Sequence, residues 1–436
     1  MRVTRGPVPL PLETYEEIIK WVDNLDPTDR QKALCACALT CSAWLYRSQA
    51  CLFKELRIEQ EPGDKDLTPI WEGAVEALRT KPFLRRHVRT LHITLLEPTD
   101  ALRMLAPLLP NLQRLFTGYS IHDYNIMMQE PQISESVFLS AVSMFSSVHS
   151  LIIDHLCYGT YGLAPIQLKM LEVLPSITTF SIYRQDVDPM SQDETWLDTT
   201  RLGFRLHTLR LHQDSLDDNT TLIGLFLAVP TTVSSLQRLY VTLDPTVDGT
   251  STDLENLLEC CGSNLTDLVL HLKPDADTLM AVGPTGFDPL PDLESNTNLR
   301  RIHIYNIALN QFLIAGLLES LAYISPTIEE LHLTLENSNA ENAPKWDAQS
   351  FLLWQELDDI LDESEFRSLR LVTISVVRDD STEQDNEATV NVQNSVPPIL
   401  PKLYARGVLH FGSPTDSIWT NLVCSWQLWP YPVPWM

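Results

Sequence analysis

Two histidines, His303 and His332, stand 29 residues apart at the same place in two copies of a repeated motif. On neighbouring strands their imidazoles would come within metal-bridging distance. A closed metal site needs three or four ligands, and Glu330 is the one nearby carboxylate on that face. The spacing therefore predicts ordinary surface imidazoles and no metal. Cys35, Cys37 and Cys41 sit close together on one expected helix, with no second Cys or His pair to complete a zinc site. They predict buried structural thiols. The chain contains no Gly-x-Gly-x-x-Gly, no Walker loop, no His-Glu-x-x-His and no Gly-x-Ser-x-Gly. The expectation is a protein with no catalytic residue and no cofactor.

The chemistry that does stand out is recognition. An aliphatic residue, two variable positions, an apolar residue, one variable position and an apolar residue recur ten times. The copies start at Val88, Leu112, Val148, Ile177, Leu206, Leu236, Leu265, Leu299, Ile328 and Leu369. The second copy departs from the rule, with Thr117 at an apolar position. Strand alternation sends positions one, four and six into the core and positions three, five and seven to the opposite face. That opposite face collects Tyr183, Arg210, His212, Arg238, Tyr240, His271, Arg301, His303, Tyr305 and His332. Tyr and Arg are enriched where proteins hold partners, and Arg pairs with carboxylates and phosphates through two bonds. This cluster predicts the capture of an acidic or phosphorylated segment of another protein. The competing expectation is a plain solvated strand face, or one filled by the protein's own loops.

The elements that would position the cluster follow from the period. The starts are separated by 24, 36, 29, 29, 30, 29, 34, 29 and 41 residues, near the upper end of leucine-rich units. Helix-like runs lie between the hexads, at 101–109, 137–145, 168–174, 222–229, 254–260, 312–324 and 351–361. The predicted fold is α/β: a short N-terminal helical bundle followed by an irregular leucine-rich-repeat solenoid, parallel strands inside and helices outside. The expected divisions are 1–60 (helical domain), 61–87 (loop and helix), 88–377 (solenoid), 378–398 (acidic mobile linker) and 399–436 (capping segment). The Trp-rich tail, with Trp419, Trp426, Trp429 and Trp435, is expected to cover the open end of the stack. The asparagine usual in leucine-rich units is missing at position nine of all ten copies, so the curve is expected to be irregular.

Composition narrows the partners. The chain has 436 residues, 44 % of them apolar, and a net charge of −26. Residues 336–387 alone carry fourteen acids against four bases. That sign argues against nucleic-acid and anionic-membrane binding. The longest apolar candidate, 312–324, is too short to span a bilayer and contains Glu319. The N-terminal residues show no apolar leader, so the expected location is cytoplasmic or nuclear, with reduced thiols.

The N-terminal residues add a resemblance. Leu10-Pro11-Leu12-Glu13 opens an apolar helix through Ile18, Ile19 and Val22, and Leu39-Thr40-Cys41-Ser42-Ala43-Trp44 closes a second. Leu52-Phe53 and the strand-like Leu56-Arg57-Ile58 follow. This stretch of about 50 residues resembles the F-box, and an F-box followed by leucine-rich repeats resembles fungal F-box proteins. Thr14 and Thr40 stand where that family has aliphatic residues. The resemblance implies docking on a Skp-type adaptor, and through it a cullin-RING ubiquitin ligase of the SCF type. Leu10, Pro11, Leu12, Ile18, Ile19, Leu39, Cys41 and Trp44 would face the adaptor, and the repeats would hold the substrate. The alternative is a leucine-rich-repeat interaction scaffold whose first helices only cap the solenoid.

Overall fold

The computed structural model describes residues 12–25, 27–40, 42–59, 70–94, 98–118, 135–154, 164–183, 204–212, 223–224, 226–227, 229–243, 250–272, 291–308, 327–336, 348–377 and 399–412. They divide into two compact units, one holding the N-terminal helices and the first four strands, the other the remaining eight. Among the described residues no helix is long and apolar enough to cross a membrane.

In the first unit α1 (Leu12–Asp23), α2 (Pro27–Thr40) and α3 (Ser42–Leu52) form the bundle. Ile19 and Val22, one helical turn apart, pack on Leu34 and Cys37 of α2, with Ile18 and Trp44 closing the rim. Tyr15 meets Trp44 edge-on at 5.6 Å. The turn between the first helices is pinned by Arg30, which donates to Asp23 at 2.7 Å and to the Cys51 carbonyl at 3.0 Å. Cys37 is buried, as expected, but Cys35 is exposed, because residues two apart on a helix face different ways. Cys41 lies outside the described residues. The expected helix after the first loop is present as Ile70–Thr80.

The hexads become strands. β1 (Glu55–Glu59), β2 (Thr90–Thr94), β3 (Arg114–Gly118) and β4 (Ser150–Asp154) pair in parallel and in chain order. Thr117 does not break the register: it sits between Ile93 and Ile153 in the inward column and is itself buried. In the second unit the same parallel order runs through β5 (Thr179–Tyr183), β6 (Thr208–His212), β7 (Arg238–Leu243), β8 (Asp267–Leu272), β9 (Arg301–Ala308), β10 (Glu330–Glu336), β11 (Leu371–Val377) and β12 (Leu409–Gly412). Positions one, four and six are buried columns, as in Leu206, Leu209 and Leu211 or Leu299, Ile302 and Ile304. β9 sets Tyr305 and Asn306 opposite Thr334 alone, a bulge that interrupts an otherwise uniform register.

Helices between the strands follow 3.6-residue spacing. Leu254, Leu257, Leu258 and Cys261 are the buried stripe of Thr250–Cys261. Trp354, Leu357 and Leu361 do the same for Ala348–Asp362, with the buried carboxylate of Asp358 set into the stripe. Of the runs expected to be helical, 312–324 lies outside the described residues, as do the acidic linker 378–398 and the four tail tryptophans. Residues Pro401–Arg406 form a short helix before β12.

At six of the ten hexads the residue immediately before the hexad stitches its turn to the one before. Ser147 donates to the Leu112 carbonyl at 2.8 Å, and Ser176 to Ser146 at 3.0 Å. Ser235 donates to Leu206 at 2.8 Å, Asn264 to Ser234 at 2.8 Å, Asn298 to Ser263 at 2.8 Å and Thr327 to Thr297 at 3.0 Å. Each side chain satisfies a carbonyl of the turn before, one unit back.

Candidate functional site

The Arg, Tyr and His cluster assembles on β6–β10, at strand positions that lie in direct register. Arg238, Asp267 and Arg301 form one row across β7, β8 and β9. The Asp267 carboxylate is buried, and it holds Arg238 Nε at 3.6 Å on one oxygen and Arg301 Nε on the other. Thr266 Oγ1 donates to the same carboxylate at 2.7 Å. The two guanidinium-bearing side chains stay 49 % and 35 % exposed. A carboxylate below and two arginines above make a forked cationic edge fixed from beneath.

The next row is aromatic. Arg210 lies over the Tyr240 ring at 4.7 Å, a cation–π contact. Tyr240, Val269 and Tyr305 form a buried cluster of their own. His303 stacks on Tyr305 at 3.7 Å, and His271 meets the same ring edge-on at 6.2 Å. The His303 and His332 rings are 5.2 Å apart. His303 Nε2 bonds Thr334 Oγ1 at 3.0 Å, and His332 Nε2 lies 3.6 Å from Glu330.

The sequence expectation of surface imidazoles is corrected here, since both histidines are buried, as are Tyr240 and Tyr305. Long aromatic and imidazole side chains on parallel strands cover one another, which the alternation of faces alone does not convey. Burial drives His303 well below the ordinary 6.5, and the neighbouring His332 adds to it. Burial also lowers His332, against the pull of Glu330. The Tyr240 phenol is raised, again first by burial. The space between Asp267, Arg301, His303 and His332 is about 10 Å³, room for about one water at most, so it offers no chamber for a small molecule. Among the described residues no group of three or more His, Cys, Asp and Glu could hold a metal.

Of the ten residues expected on this face, Tyr183 and His212 pair in register on β5 and β6, and the other eight lie on β6–β10. Asp267 was not foreseen as part of the site. Its signal was present: Arg238, Asp267, Arg301 and Glu330 alternate in sign at one repeat position. A second unforeseen group lies in the first unit. Glu55 on β1 accepts from His92 Nε2 and Arg57 Nε, both at 2.8 Å. Burial alone would raise Glu55; the His92 bond and charge, with Arg57, outweigh it and hold the carboxyl at about 2. A depressed carboxylate stabilises the fold fully above its ordinary 4.5, and that contribution is lost as pH falls from there toward 2. Glu55→Gln is therefore expected to lower stability at neutral pH by about 2 kcal/mol, after discounting for partial exposure. The difference between variant and parent should vanish toward about pH 2. Urea unfolding across that range measures it, and a pH-independent difference would refute the assignment.

The N-terminal residues distribute differently from the expectation. Ile19 is core, while Ile18 and Trp44 are half-buried against it. Leu39 is 87 % exposed on α2, and Trp21, not singled out from sequence, is 71 % exposed on α1. Leu45 and Tyr46 of α3 are exposed as well. Leu12 opens α1; Leu10, Pro11 and Cys41 lie outside the described residues.

No protein-family model matches the chain, and no curated protein matches it. Solved structures do align with it. The leucine-rich repeat-containing protein LegL7 from Legionella pneumophila is 12 % identical over 87 % of this chain and 99 % of its own, with a TM-score of 0.41. A protein from Bacteroides fragilis is 12 % identical over 80 % and 84 %, with a TM-score of 0.34. The assignment of a leucine-rich-repeat-like fold rests on the strand ladder described above.

Proposed function

We propose that this chain is a leucine-rich-repeat-like recognition scaffold, not an enzyme, that holds an acidic or phosphorylated segment of another protein on the β6–β10 face. The observation that carries this reading is the forked edge of Arg238 and Arg301, braced by a buried Asp267 and continued by Arg210 on Tyr240. A braced guanidinium loses little freedom on meeting a carboxylate or phosphate. Arg238 is the residue of choice for the test, because it is the more exposed of the pair. Tyr240 is unsuitable because its ring is buried. A fluorescent phosphoserine-rich acidic peptide should bind the full chain, and Arg238→Gln should weaken it about tenfold with the melting temperature nearly unchanged. Equal binding by parent and variant, or none by the parent, would sink the reading.

A second, finer reading concerns the bundle and is favoured by the exposure of Leu39 and Trp21. The core of Ile19, Val22, Leu34 and Cys37 is complete without them. Two large apolar side chains left in solvent suit docking on a Skp-type adaptor, which would make the chain a substrate receptor of an SCF-type ubiquitin ligase. Purified adaptor is the probe. Leu39→Glu should abolish its capture while leaving the fold intact, and a parent chain that captures no adaptor reduces the bundle to a cap.

A further inference from the structure

We propose that the inner seam of β7–β10 is proton-gated: protonation of the His303–His332 pair opens it, and Tyr240 and Tyr305 then become available to a partner. This rests on the recognition reading above and names how that same face is regulated.

The argument starts from burial. The aromatic rings best suited to hold a partner, Tyr240 and Tyr305, are covered in the structure. The two histidines lie in the same layer, His303 stacked on Tyr305 at 3.7 Å and 5.2 Å from His332 on the neighbouring strand. His303 is satisfied as a neutral ring at Nε2 by Thr334, while its buried Nδ1 has no hydrogen-bond partner. A proton added there would place an N–H and a positive charge in a buried site with no acceptor for them among the described residues.

The surrounding charges decide which proton is tolerated. From β8 come Asp267 and His271, from β9 Arg301 and Tyr305, from β10 Glu330, and from β7 Arg238 and Tyr240. β11 presents Leu371, Thr373 and Ser375, with no charge. Asp267 is already shared by two arginines. Among the described residues Glu330 is thus the one carboxylate left for two imidazoles, and it lies beside His332. The first proton goes to His332 and forms a pair with Glu330. The second, on His303, meets a cation next door and Arg301 on its own strand. The seam relieves that charge by letting water in, which unstacks His303 from Tyr305. Both histidines sit below their ordinary value in the folded protein. The closed state is therefore full above about pH 6.5 and is drained as pH falls below it.

Hydrogen exchange of the full chain, corrected for intrinsic rate, tests this. Between about pH 7.5 and 5.5 the β9 and β10 amides should lose about tenfold in protection, a loss set by His303 because Glu330 holds the first proton on His332. The β3 and β4 amides should hold theirs. His303→Gln keeps a group able to bond Thr334 but does not titrate, and it should flatten the response. Unchanged protection in the parent overturns the proposal, and so does a full response in His303→Gln. If that variant does not fold, the imidazole C–H resonances of the parent decide: a His303 ring titrating near pH 6.5 with protection retained overturns it. Exchange is read without any partner. Failure of phosphopeptide capture therefore leaves the gate standing, and a flat exchange profile removes the gate alone.

Discussion

Asp358→Ala is expected to lower the unfolding free energy by about 3 kcal/mol, one of the two largest single-site losses anticipated in this protein. The short helix Pro401–Arg406 begins with Pro at its first position, and its N-cap residue, Leu400, supplies no side-chain bond. Its next two N–H groups, on Lys402 and Leu403, donate instead to Asp358 at 2.8 and 2.9 Å. The carboxylate belongs to the helix Ala348–Asp362, some 44 residues earlier in the chain. The exchange is mutual. Arg406 of the short helix donates to the Leu361, Phe366 and Leu369 carbonyls at 2.6, 3.2 and 3.4 Å, which closes the end of the long one. Removing the carboxylate orphans two donors, one of them fully buried, and each orphan costs about 1–3 kcal/mol. Asp358→Asn, which keeps one carbonyl oxygen, should lose about half as much. Denaturant unfolding measures both. A loss below about 1 kcal/mol for the alanine variant would mean that water takes the place of the carboxylate.

Asp267→Ala is expected to be comparable, about 3 kcal/mol, for a different reason. Here the missing group is the shared anion beneath two cations. Without it Arg238 and Arg301 are brought side by side with only like charge between them. Complete burial of the pair would raise the cost to about 3–5 kcal/mol, but both arginines reach solvent, which brings the figure down. Asp267→Asn should fall between, since it keeps the shape and the Thr266 contact but not the charge. The loss should persist in about 1 M salt, because the carboxylate is buried and poorly screened. Disappearance of the effect at high salt would show that the row is a surface pairing only.

The ladder was legible because its signal is local. Every hexad carries its own inward triad, and all ten form strands where the pattern placed them, including the copy with Thr117. The ladder also extends beyond the ten, to β1 at Leu56 and Ile58, whose strand character was visible in sequence, and to β12 at Leu409 and Phe411. The burial of the opposite face was not legible. Alternation tells which way Tyr305 and His303 point, but not that neighbouring rings on β8–β10 cover each other. The bulge in β9 was hidden as well, since it depends on how β9 meets β10 and not on β9 alone. The inter-turn bonds were hidden in plain sight. Ser147, Ser176, Ser235, Asn264, Asn298 and Thr327 read as ordinary turn residues until their common place, one before each hexad, is set beside their common target.

Those bonds have a consequence for how such a chain can change over time. Each clamp joins a hexad boundary to the boundary one turn earlier, and none depends on the length of what lies between. At the six clamped hexads the distance from the hexad before ranges from 29 to 36 residues without loss of the clamp. Segments can be inserted, shortened or exchanged between turns as evolutionary cargo, while the rungs keep their places. The seams hold the stack together, and the spans between them can vary in length around them.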